Sequence, residues 1–234
     1  MDLFDLKAPS RAFPLLLGGL SDSNTLQVLN RLGFLASLGG PDAILSEDKL
    51  QDDGDDKDDG KKDNYKSRRL TLKCLLEHNE FRVVLATVKL LARLVKALGQ
   101  EPRGLEMESL LLSDSSGAES SSQPGLFKTK GIADRIFHCL ALEGPIRGEA
   151  VNTIIEIAPI SNLRKRLHSL GVKEKLVRML SAEKIVTLLP TGKLGPMFSA
   201  KYATVARSSA DALLALAAYS ADAVSLKPLH RMLW

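Results

Sequence analysis

A stretch of thirteen residues recurs forty positions on. "GIADRIFHCLALE" spans Gly131–Glu143, and "GVKEKLVRMLSAE" spans Gly171–Glu183. Gly131 pairs with Gly171, Ile132 with Val172, Ile136 with Leu176, Phe137 with Val177, Leu140 with Leu180 and Glu143 with Glu183. In each copy the apolar set falls on one face of a helix. A second pair of segments follows: "EAVNTIIEIA" at 149–158 resembles "SADALLALAA" at 209–218, sixty residues on. The extra twenty residues read as an insertion around 184–203, punctuated by Pro190, Pro196, Gly192 and Gly195.

A helical unit of about forty residues that tolerates insertions is the mark of armadillo or HEAT repeats. The expected unit has a short helix at 161–170, a corner at Gly171, a second helix at 172–181 and a longer third helix at about 203–220. A residue free to take positive φ suits that corner. The stretch 145–167 is then a repeat junction, in which a third helix opening on Pro145 is followed by the first helix of the next unit. The fold class expected is all-α, an armadillo/HEAT-like α-solenoid of about four units running as one domain through 1–234. No such unit buries its own apolar face, so stacked neighbours share one core and expose an extended surface.

The earlier part of the chain also reads as helix. In "SDSNTLQVLNRLGFLASLGG", Ser23 or Asn24 is the expected cap, Leu26, Leu29, Leu32 and Leu35 the expected face, and Gly39 and Gly40 the stop. Shorter helices are expected at 42–50, 65–78 and 105–112. "FRVVLATVKLLARLVKAL", 81–98, is apolar around most of its circumference and should be buried on several sides. Aromatic residues make up only 5% of the chain, and Leu and Ala dominate, which favours helices over strands. Two segments are expected to be disordered: 47–64, with nine Asp or Glu, and the Ser-rich 113–125. The alternating carboxylates of 47–64 invite comparison with a calcium loop, but the glycine and glutamate spacing of such a loop is missing.

Charge is uneven. Residues 126–234 carry 16 Lys+Arg against 8 Asp+Glu, and 1–125 carry 16 against 20. The basic residues Arg164, Lys165, Arg166, Lys173, Lys175 and Arg178 fall on the first two helices of one repeat and form the candidate partner-binding surface. A solvated face accounts for them better than a partner does, and three adjacent charges on one helix do not share a face. No interleaved aromatics accompany them, so nucleic acid is not the expected partner. Cys74 and Cys139 lie far apart without a CxxC pattern, as in a reducing compartment. No apolar run reaches the roughly 18 residues of a membrane span, and a soluble, cytoplasmic chain is expected.

Little in the sequence points to chemistry. His138 and Cys139 are neighbours and so point about 100° apart on a helix. His78, His168 and His230 have no ligand spacing. "PTGKLG" at 190–195 lacks the first glycine of a phosphate loop and the strand before it. No catalytic residue, metal or cofactor is expected.

The run "LLEHNEFRVVLATVKLLARLVKAL", 75–98, resembles the armadillo-like head of the general vesicular transport factor family, golgin-type vesicle tethers. The matching residues are Leu75, Leu76, Glu77, Phe81, Arg82, Val83, Val88, Lys89, Leu90 and Leu91. Ile146, Arg147 and Glu149 look like a second family motif, and Thr25, Leu26 and Leu29 precede the acidic segment in the family's order. The resemblance covers roughly 24–183. It implies a non-catalytic tether in ER-to-Golgi or intra-Golgi transport, peripheral on Golgi or vesicle membranes, with Rab GTPases and SNARE proteins as partners. A generic armadillo adaptor, such as a chaperone cofactor or transport-receptor-like scaffold, is the alternative. Oligomeric state is left open by the residues.

Overall fold

The protein's structure, a computed structural model, describes residues 12–18, 20–38, 40–45, 60–112, 131–187 and 196–219. All its described elements are α-helices. They divide into two compact units, Met1–Leu111 and Leu112–Trp234.

The first unit is organised by α5, Phe81–Leu98. The Glu80 carboxylate accepts from the Arg82 N–H and caps its start. At its end Gly99, with φ +59°, donates its N–H to the Val95 carbonyl. Between those ends Val83 to Val88, Leu90 to Ala92, Leu94 and Leu98 are all buried, so the helix is covered on several sides as its composition predicts. Each fully buried Leu or Val contributes about 1.5–3 kcal/mol of burial free energy.

Helix α2, Asp22–Ser37, packs along α5. Its buried stripe is Thr25, Val28, Leu29, Leu32, Gly33 and Ala36. The expected line of Leu26, Leu29, Leu32 and Leu35 is corrected at its ends, because Leu26 and Leu35 are only half-buried. Steps of three fall short of a turn by about 60° each, so such a line winds off the core face; steps of three and four alternately stay on it. The cap is also displaced: the Ser21 hydroxyl, not Ser23 or Asn24, accepts the Asn24 N–H.

Helices α1 (Ala12–Leu17), α3 (Pro41–Leu45), α4 (Gly60–Leu76) and α6 (Pro102–Leu112) complete this unit. Arg68 of α4, only 7% exposed, donates to the Ile44 carbonyl at 3.3 Å. Its guanidinium also stands 5.8 Å from the centre of the Phe13 ring, so one side chain joins α1, α3 and α4. Arg103 reaches Asp42 at 2.9 Å and Glu101 at 3.3 Å. The hydrogen bond to Asp42 is the main reason its pKa stands above the ordinary arginine value.

The second unit holds α7 (Ile132–Ala141), α8 (Pro145–Ile157), α9 (Ser161–Ser169), α10 (Val172–Thr187) and α11 (Pro196–Ala218). Pro145 stands in the first turn of α8, as expected. Gly171 takes φ +77° at the corner between α9 and α10, also as expected. Gly131 does not repeat that conformation: its φ of 162° is extended backbone. Helix α8 packs on α7 and on α11, and α10 packs on α9 and α11.

The forty-residue recurrence appears in burial. Ile132 and Val172, Ile136 and Leu176, and Leu140 and Leu180 are buried pairs, and Phe137 and Val177 are both half-buried. The second correspondence needs a correction of one residue. At an offset of 59, Ala150, Thr153, Ile154 and Ile157 align with Ser209, Ala212, Leu213 and Leu216, all buried; at the expected 60 they do not. Residues 184–187 and 196–203 of the expected insertion are helical, because α10 continues to Thr187 and α11 begins at Pro196; 188–195, with Pro190, Gly192 and Gly195, lie outside the described residues.

Helix α4 starts at Gly60, so residues 60–64 of the expected disordered stretch are helical, and 47–59 lie outside the described residues. The Ser-rich 113–125 also lies outside them, as do residues 46–50 of the helix expected at 42–50.

Candidate interaction surface

The six expected partner-binding residues lie on α9 and α10, and on each helix they leave from more than one side. On α9, Leu163 and Leu167 mark the core side. Neighbouring side chains diverge by about 100°, so Arg164 and Arg166 leave on opposite flanks and Lys165 points outward. Arg164 Nη1 donates to the Ala158 carbonyl at 2.6 Å, where α8 ends, and to the Pro159 carbonyl at 3.5 Å. Its guanidinium lies 6.0 Å from the centre of the Tyr219 ring. Arg166 Nη2 spans both oxygens of Asp134 on α7, at 3.2 and 3.3 Å. These two arginines therefore fasten α9 to its neighbours.

Lys165 and Arg178 are exposed, and Lys173 and Lys175 are half-buried. On α10 the core side is set by Val172, Leu176 and Leu180. Lys173 and Lys175 flank that stripe on opposite sides, and exposed Glu174 shares the outward side with Arg178. Arg164 and Arg166 are thus engaged within the unit, with the Arg166 side chain still 50% exposed.

A more coherent charged surface lies on α5. Its only ionisable residues are Arg82, Lys89, Arg93 and Lys96. With spacings of seven, four and three they fall within about 60° of one another around the axis. They lie on the least buried side of the helix: Arg82 and Lys96 are exposed, while Lys89 and Arg93 are half-buried and engaged in contacts. At 1.5 Å per residue the stripe is about 21 Å long. A β-carbon added at Gly33 would lie 3.0 Å from Arg93 Nη1, which sets α2 beside the stripe. The signal is present in the sequence as a helix whose ionisable residues are all cations at helical spacing, the other polar residue, Thr87, being buried.

His138 is half-buried and Cys139 buried, on different sides of α7. Burial pushes the Cys139 thiol up to about 11, against a smaller opposing pull from Arg135. A thiol so placed is a poor nucleophile. No helix among the described residues is long and apolar enough to cross a membrane.

These features define an all-helical protein of two units with surface cations on outward helix faces. No family model, curated protein or solved structure matches the chain.

Proposed function

We propose that the chain is a non-catalytic protein-interaction module built as an armadillo-like α-solenoid. In this reading it acts as the head of a vesicle tether in ER-to-Golgi or intra-Golgi transport, peripheral on the membrane and engaging Rab GTPases and SNARE proteins. The observation that carries the solenoid is the recurrence of burial between α7 and α10 at forty residues, together with the packing of α8 on α11. Stacked helical units of this kind present side chains over a long surface, which suits partner proteins better than small substrates. The tether assignment rests on the run 75–98 and the residues Ile146, Arg147 and Glu149.

Affinity capture of the tagged chain from its own cells, read by mass spectrometry, tests the assignment. Golgi Rab GTPases, SNAREs or tether subunits are the expected catch. Recovery of chaperones or transport receptors with no Golgi component would replace it with the adaptor reading.

A further inference from the structure

We draw no further inference here: the strongest candidate, the exposed apolar pair Phe34 and Leu38 one turn apart at the C-terminal end of α2, is an unpartnered face, and nothing in the structure shows what covers it.

Discussion

Gly104 and Gly33 both sit where helices approach closely, yet they exclude a methyl group to different degrees. A β-carbon at Gly104 would stand 2.6 Å from the Gly99 carbonyl oxygen, a backbone atom in the turn that ends α5. That turn holds Gly99 at positive φ and cannot give way without moving α5 against α6. At Gly33 the obstacle is the guanidinium of Arg93, the far end of a flexible side chain. Gly104→Ala should therefore lower stability by about 1–3 kcal/mol, as overpacking does, and Gly33→Ala by clearly less, in urea unfolding of the two variants. Cys139 supplies a pH dependence. Its folded pKa, about 11, lies above the ordinary 9.0 because burial disfavours the thiolate. The folded state therefore holds the proton more tightly. The stabilising contribution is complete below pH 9 and is lost as pH rises through about 11. The parent chain should lose more stability than Cys139→Ala across that window. Alkylation of the native chain at pH 8 should label exposed Cys74 and spare Cys139.

Among the helices, the joints are made by arginines, and the two on α9 differ in worth. Arg164 occupies a carbonyl at the end of α8 and lies against Tyr219. Arg166 makes a forked pair with Asp134, but its side chain is 50% exposed and that of Asp134 23%. Solvent screens such a pair to about 1 kcal/mol or less. Arg164→Ala should thus cost roughly 1–2 kcal/mol in chemical unfolding, more than Arg166→Ala. Helices of this kind were readable in the chain because each carries its own punctuation: Gly99 closing α5, Pro145 opening α8, Gly171 turning α9 into α10. Register was less readable. The slip from 60 to 59 between α8 and α11 arises because Ala and Leu crowd "SADALLALAA" on every side, so only burial reveals which four face inward. Helical geometry separates consecutive residues, and it unites the distant Arg82, Lys89, Arg93 and Lys96. The tie of Arg166 to Asp134, thirty-two residues away, depends on tertiary packing and leaves no local mark in the sequence.

At the level of the whole chain, the division near Leu111 has a consequence for folding. The first unit encloses its own core: α5 is covered by α2, α3 and α4, and Arg68 joins α1, α3 and α4. The second encloses another, with α8 between α7 and α11. A domain with its own core can fold alone. The natural place to cut is 113–130, between the end of α6 and the start of α7, where no described helix is broken. Fragments 1–112 and 131–234 should each show helical circular dichroism and a cooperative urea transition, and their summed spectra should equal that of the intact chain. An unfolded 1–112 fragment would mean that α5 and its neighbours need the second unit, and the chain would then be a single cooperative body rather than two.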